Sequence, residues 1–381
     1  MEQAVNQPVR LGVIGTGLAM EKLHWPALSA MPDRFTIAAF ADEKQEAGEH
    51  FSRLSGLPMA LYHRDLHDLL KCDDVEAVLV ALPIPFSYPV TQECLAAGKH
   101  VICEKPPGID LDEGRAFLAL GTQFPDRVVL VAENFFYRDD LRLARSLLDD
   151  GVIGQPHAMS YRSVWPLVPS PGDFASTPWR QQPQYRGGPH LDAGVHHVAQ
   201  IRLLCGDVQS LHGHIQYANP LMGGPSYLTM NLRFIGGALG NYFAGYPPFQ
   251  VPRDGNDMRL YGSEGSLVVG NHSLKVVRAD GSAEEHRVEG RTGGYYNEFV
   301  NFYEGITFGE PVVGNIAQSF LNMEVVMRGL DSAEQGEIVV LRGEADDATL
   351  EGGVPLWRPH GAIGLFDGLN TTVGTEHRAT E

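Results

Sequence analysis

Short apolar runs alternate with stretches of helical period through the first third of the chain. Val9, Leu11, Val13 and Ile14 form a run that stops at Gly15-Thr16-Gly17, after which Leu18, Leu23 and Leu28 follow a helical spacing. A second run from Phe35 to Phe40 ends at Asp42. The alternation predicts further helices at 43–54, 65–72, 88–97 and 110–124, and strands at 59–62, 75–82, 100–103 and 127–132. Six strands interleaved with helices make a doubly wound parallel sheet. An amphipathic helix at 139–148, stopped by Gly151, leads out of it.

Beyond Gly154 the pattern changes. Residues 164–189 are rich in Pro, Gly and aromatics, and a helix follows at 189–204. Alternating runs near 207–217, 226–235, 238–246, 257–262 and 266–277 then predict a meandering antiparallel sheet, closed by helices at 295–307 and 318–334 and a strand at 338–341. The tail from 343 to 381 is glycine-rich and weakly periodic, as expected of chain laid on a surface. The expected architecture is α/β followed by α+β. Residues 1–130 form a Rossmann dinucleotide-binding domain, and 131–381 a substrate-binding and oligomerisation domain with an open-faced sheet. The alternation of Leu228, Met230, Leu232 and Phe234 offers an apolar face to a second copy, which predicts a homodimer or homotetramer.

Composition narrows the partners. At 381 residues the chain exceeds one ordinary core. Its net charge of −18 and lack of a basic stripe argue against nucleic acid. No run approaches the roughly 18 apolar residues of a membrane span, and the first residues lack a signal core. Cys72, Cys94, Cys103 and Cys205 have no metal-site or disulfide spacing, as for reduced thiols in the cytoplasm.

The glycine turn carries the first candidate chemistry. Gly15 permits a tight turn, Gly17 lets backbone approach a pyrophosphate, and Leu18 and Ala19 open the helix on which that group would sit. Asp42, 25 residues after Gly17, can accept both adenosine ribose hydroxyls and would repel a 2′-phosphate, which favours NAD over NADP; Lys44 works against that preference. Met20 stands where a third glycine is usual. A second candidate is Glu104-Lys105-Pro106 at the carboxyl end of the fifth strand, although a solvated Glu-Lys pair is the plainer reading of that dipeptide. A third is His190, Asp192, His196 and His197. Asp192 and His196 are four apart, which suits a proton acceptor beside a carboxylate, a metal pair completed by His190 or His197, or simply a capped helix with satisfied histidines. Tyr137, Arg138, Trp165, Trp179, Arg180 and Tyr185 supply flat faces and guanidinium forks suited to a polyhydroxylated ring.

Several of these motifs occur together in one order. They are Gly15-Thr16-Gly17 with His24-Trp25-Pro26, the run Ala97 to Pro106, Glu133-Asn134 through Arg138, Gly151-Val152-Ile153-Gly154, Trp179-Arg180, and Gly187-Gly188 leading to Asp192 and His196. In this the chain resembles the glucose-fructose oxidoreductase / inositol dehydrogenase / rhizopine catabolism (Gfo/Idh/MocA) family from Val9 to about Leu341. The resemblance implies an NAD(P)-dependent oxidoreductase of sugars or cyclitols with Lys105, Asp192 and His196 at catalytic positions. It implies cofactor contacts from Gly15, Gly17, Leu18, Ala19, Asp42, Glu104, Lys105 and Asn134, and substrate contacts from Tyr137, Arg138, Trp165, Trp179, Arg180 and His197. Two departures touch the pocket. Leu82-Pro83-Ile84-Pro85 and Tyr88 replace a usual Thr-Pro-Asn turn and histidine, so contacts there fall to backbone at Leu82 and Pro83, and Ala199 replaces a frequent acid.

The reading is hydride transfer between a nicotinamide and a ring carbon bearing a hydroxyl, with no metal and a small carbohydrate or cyclitol held between the domains. NAD-assisted glycoside cleavage, a metal-dependent hydrolase at Asp192, His196 and His197, and a cofactor-sensing protein without chemistry are the alternatives.

Overall fold

The computed structural model describes residues 7–252, 254–288, 293–341, 353–362, 364 and 371–376. Two compact units divide the chain. The first runs through Asn134 and takes in Tyr295–Phe320 and Pro359–Gly361. Its sheet holds β1 (Val9–Ile14), β2 (Phe35–Ala41), β3 (Tyr62–His63), β4 (Ala77–Val80), β5 (His100–Cys103) and β6 (Val129–Val131). The order is β3-β2-β1-β4-β5-β6, parallel throughout. Every residue of β4 is buried, as befits a central strand covered on both faces. Gly12 in β1 leaves room for Leu69, whose side chain would lie 2.9 Å from a Cβ there.

Local chemistry explains where the helices begin and end. Asp110 caps Leu111–Gln123 by accepting from Glu113 N at 2.9 Å, while Glu113 Oε2 reaches back to Ile109 N at 2.7 Å. Gln45–Ser55 stops at Gly56 in the left-handed region. The helix predicted from Tyr88 starts at Ile84, because Pro85 fits the first turn, where its missing N–H is no loss. The strand predicted at 59–62 is a 3₁₀ turn, Met59–Leu61, with only Tyr62 and His63 pairing to β2. Since β1, β2, β4, β5 and β6 run the same way, Gly15, Asp42, Leu82, Glu104 and Asn134 leave the sheet along one edge. The helix Tyr295–Phe308, which the pattern along the chain joined to the second domain, belongs to this unit; Phe299 and Phe302 pack against Phe35 at 5.9 and 6.3 Å.

The second unit takes Phe135–Gly294 and most of the described chain after Leu321. Its sheet is built from β7 (Pro156–Val164), β8 (Val208–Gln216), β9 (Tyr227–Phe234), β10 (Leu239–Gly245), β11 (Met258–Gly262), β12 (Gly265–Val269), β13 (Ser273–Arg278), β14 (Ala283–Val288), β15 (Val339–Val340) and β16 (Thr371–Glu376). The order is β15-β8-β9-β10-β7-β11-β12-β13-β14-β16, and only β7 and β10 run parallel. β7 lies mid-sheet yet gives a weak signal, because its buried face has only Met159 and Tyr161 as apolar residues, flanked on that face by His157 and Ser163. The single run expected at 266–277 is a hairpin of β12 and β13, reversed where His272 takes φ 59°. Of the predicted surface tail, Thr371–Glu376 pairs with β14, and the remainder lies mostly outside the described residues.

The expectation for the open face is corrected by this sheet. Leu228, Met230, Leu232 and Phe234 are all buried within the unit. Gly329, on the helix Ile316–Gln335, approaches so closely that an added Cβ would meet Met230 Sδ at 2.4 Å. The opposite face shows His214, Asn231, Arg233, Leu239 and Tyr261 to solvent.

Candidate active site

The glycine turn is shaped by backbone necessity. Gly15 takes φ 90°, and a Cβ on it would lie 2.5 Å from the Ala81 carbonyl oxygen, so no other residue fits. Thr16 donates both its backbone N–H and its hydroxyl to Asp42 Oδ2, at 2.9 and 3.1 Å, and Lys44 N–H donates to Oδ1 at 3.0 Å. The half-buried carboxylate is thereby fixed beside the turn, with one of its roughly four lone-pair sites, on Oδ1, left for a ribose hydroxyl. Gly17 is exposed and a Cβ there would meet nothing within 4 Å, which leaves clear space over its backbone. Leu18 and Ala19 lead into a π-helical turn, Met20–His24, and then Trp25–Leu28. A tight turn, open backbone and an anchored acid together fit the pyrophosphate and adenosine ribose of NAD. Thr16 was overlooked in the sequence, where only the flanking glycines drew attention.

Farther along the same edge, Leu82 and Pro83 are half-buried after β4. Glu104 N donates to the Val80 carbonyl at 3.0 Å, and Ser87 Oγ donates to the Glu104 carbonyl at 3.2 Å. Its carboxylate meets Nε2 of the fully buried His24 at 2.7 Å, a hydrogen bond that spacing in the sequence did not suggest. Lys105 follows, half-buried, joined to Pro106 by a cis peptide. Asn134 is buried and opens the 3₁₀ turn Asn134–Tyr137.

In the second unit the expected helix comes as two pieces, Pro189–Asp192 and Gly194–Cys205, that share Ala193 as a junction. Asp192 is held by Arg180, whose Nε donates to Oδ2 at 2.6 Å. The guanidinium is itself fixed between aromatic faces, 4.0 Å from the Trp179 ring and 5.2 Å from the Phe174 ring, with Thr177 Oγ1 accepting from Nη1 at 3.3 Å. His196 is half-buried and stacks on Phe135 at 4.9 Å, and the Arg138 guanidinium lies 4.7 Å from that same ring. Phe135, Phe174 and Thr177 had no signal of their own in the sequence.

Asp192, Arg180, Trp179 and, through Phe135, His196 and Arg138 form connected sets. Tyr137 and His197 are placed elsewhere. Tyr137 is wholly buried, edge-on to Trp357 at 5.8 Å. His197 is buried with Nδ1 2.7 Å from the Tyr242 hydroxyl and Nε2 3.1 Å from Ser163 Oγ, and burial pushes its pKa down to about 3. Trp165 is partly exposed and donates from Nε1 to Ser163 Oγ at 3.0 Å. Arg138 is paired with Asp140, Nε to Oδ1 at 3.0 Å. His190 is fully buried against Tyr246, its pKa likewise pushed down to about 3. Among the described residues no three His, Cys, Asp or Glu side chains gather as metal ligands. A cavity of about 510 Å³ is lined by Tyr185 and Arg186; of the aromatic and basic residues suited to a polyhydroxylated ring, Tyr185 alone lines it.

Known proteins are similar to this chain in sequence and fold. The model of an oxidoreductase family with an NAD-binding Rossmann fold matches residues 9–130, and that of the Gfo/Idh/MocA C-terminal domain matches residues 141–268. A dTDP-3,4-didehydro-2,6-dideoxy-α-D-glucose 3-reductase from Actinomadura kijaniata is 32% identical over 238 residues, covering 60% of this chain and 67% of that one. A myo-inositol 2-dehydrogenase from Thermotoga maritima is 24% identical over 361 residues, covering 90% and 96%. The crystal structure of an oxidoreductase from Thermotoga maritima superposes with a TM-score of 0.80 at 28% identity over 88% of this chain and 98% of that one. With both of its units matched in order, the chain is a member of the Gfo/Idh/MocA family of NAD(P)-dependent oxidoreductases that act on CH–OH groups.

Proposed function

We propose that the chain moves a hydride between NAD and a ring carbon bearing a hydroxyl, in a sugar, a sugar derivative or a cyclitol. The observation that carries this is the Asp192–Arg180 pair, its guanidinium packed on Trp179 and Phe174, with His196 in the first turn of the helical segment that follows. A fixed charge pair walled by flat apolar faces suits a polyhydroxylated ring, whose hydroxyls need partners and whose C–H faces need cover. The sugar and inositol relatives support the same class.

Gly15, Gly17 and Asp42 would hold NAD, which would supply the hydride acceptor for the carbinol carbon. His196 takes the hydroxyl proton, for which imidazole is the best-matched side chain near neutral pH. Asp192, its charge balanced by Arg180, accepts a ring hydroxyl and steadies the imidazolium. Lys105, carried by the first unit, holds the alcohol oxygen and stabilises the negative charge that develops there. The test is a screen of sugars and inositols with NAD and NADP, following reduced cofactor, run beside a nitrophenyl glycoside. Nitrophenol release that needs NAD but forms no net NADH would replace this reading with glycoside cleavage.

We also read the chain as a cytoplasmic homodimer or homotetramer. Leu239 and Tyr261 on the open sheet face, 57% and 45% exposed, support it. Light scattering that finds a monomer at micromolar concentration would reject it.

A further inference from the structure

Glu298 is fully buried in the first unit, and among the described residues neither of its carboxyl oxygens meets a hydrogen-bond partner. It lies on the helix Tyr295–Phe308, between the two rings, Tyr295 and Phe299, that pack edge-on to His24 at 6.1 and 5.7 Å. His24 bonds Glu104, the residue before Lys105. Glu104 and the buried Glu133 are the charges that bear on Glu298. The end of β5, the turn Met20–His24 and the helix Tyr295–Phe308 therefore meet around His24, with Glu133 just after β6.

An ionised carboxylate at Glu298 would be desolvated, unpaired and next to two like charges. We propose that Glu298 is a positioning residue for the Glu104–Lys105 turn, carried as the neutral acid so that the Glu104 carboxylate can stay on His24. Burial first, then the charges of Glu104 and Glu133, hold its proton well above the usual carboxyl range. Ionising it would drive Glu104 off His24 and shift the turn that presents Lys105. The role of the turn rests on the function proposed above; the protonation does not.

Infrared spectroscopy of the full-length protein in deuterated buffer tests the protonation directly. The wild type is expected to show the carbonyl band of a buried protonated acid at neutral pH, and Glu298→Gln to lose it. Because the folded carboxyl is held above its unfolded value, its contribution to stability is full at low pH and is lost as pH rises toward the folded value. The thermal midpoint of the wild type should thus fall more steeply above about pH 4.5 than that of Glu298→Gln. The positioning is read without turnover from the His24 imidazole NMR signal, which should change as the wild type is taken alkaline and stay put in Glu298→Gln. In turnover assays Glu298→Gln should keep neutral-pH activity and move the alkaline limb upward by a pH unit or more. No band lost in Glu298→Gln overturns the proposal, and so does an unchanged His24 signal in the wild type at alkaline pH. A lost band with no NAD-dependent turnover on any substrate would instead count against the proposed function.

Discussion

Arg180 donates to Asp192 at 2.6 Å from a guanidinium pinned between Trp179 and Phe174. Both side chains are more than four-fifths buried, at 18% and 15% exposure, so neither can lose its partner without leaving a poorly solvated charge. Arg180→Met and Asp192→Asn should each lower kcat/KM by about 10- to 100-fold, the range expected for one charge-assisted hydrogen bond in a partly dry site. The double variant should be no worse than the poorer single one, because the first change already removes the shared interaction. Additive losses in that cycle would show that the two residues act separately.

The two glycines of the turn should respond differently to the same methyl group. Gly15→Ala collides with the Ala81 carbonyl and forces a left-handed alanine, so it should lower both the melting temperature and cofactor affinity. Gly17→Ala meets only open space, so the fold should melt as before while NAD binding weakens, the methyl now occupying the pyrophosphate approach. Calorimetry and NADH fluorescence titration on both variants check this. Undiminished NAD affinity in Gly17→Ala would place the pyrophosphate elsewhere.

Asp42 should set the cofactor preference. Its Oδ2 is engaged by Thr16 and its Oδ1 by Lys44 N, so the carboxylate cannot swing away from a 2′-phosphate without giving up those bonds. NADH should bind more tightly than NADPH, and Asp42→Ala should weaken NADH by about 10-fold or more while narrowing the gap. Tighter binding of NADPH by the unaltered protein would contradict the assignment.

Much of this molecule could be read from its residues, for reasons that differ by region. Parallel strands buried on both faces, such as Ala77–Val80, leave unbroken apolar runs, and glycines with forced conformations, such as Gly15, punctuate them. The second unit was harder. β7 has only Met159 and Tyr161 as an apolar face, with His157 and Ser163 on either side of them, and β14 carries Glu284, Glu285 and Arg287, so each leaves too short an apolar alternation. Spacing along a helix set Asp192 near His196 but gave no sign that Arg180, twelve residues earlier, holds Asp192 or that His196 stacks on Phe135. His197 looked like a ligand only because periodicity cannot show that Ser163 and Tyr242 take both its nitrogens. Contacts made across a long stretch of chain leave no local signature.

Two buried histidines should make the fold acid-sensitive. In the folded protein burial holds His190 and His197 neutral down to about pH 3, whereas their ordinary value is 6.5. Their contribution is therefore complete above pH 6.5 and is lost as the pH falls toward 3, at up to about 1.4 kcal/mol per pH unit for each. Chemical denaturation between pH 7 and 4 should show that loss, with a shallower slope in His197→Gln. Equal slopes would mean that His197 is charged in the fold.

In the proposed function Lys105 and His196 perform the chemistry on a ring alcohol, while Gly15, Gly17 and Asp42 grip the pyrophosphate and ribose of NAD. The most direct measurement is steady-state NADH formation by the wild type, Lys105→Ala and His196→Ala on the best substrate of the sugar and inositol screen, with NAD affinity measured on the same samples. Each variant should lose on the order of 10²-fold in turnover, as expected for a positioned acid-base or electrostatic group, and keep its NAD affinity. Near-normal turnover in both variants would contradict the account and place the chemistry elsewhere.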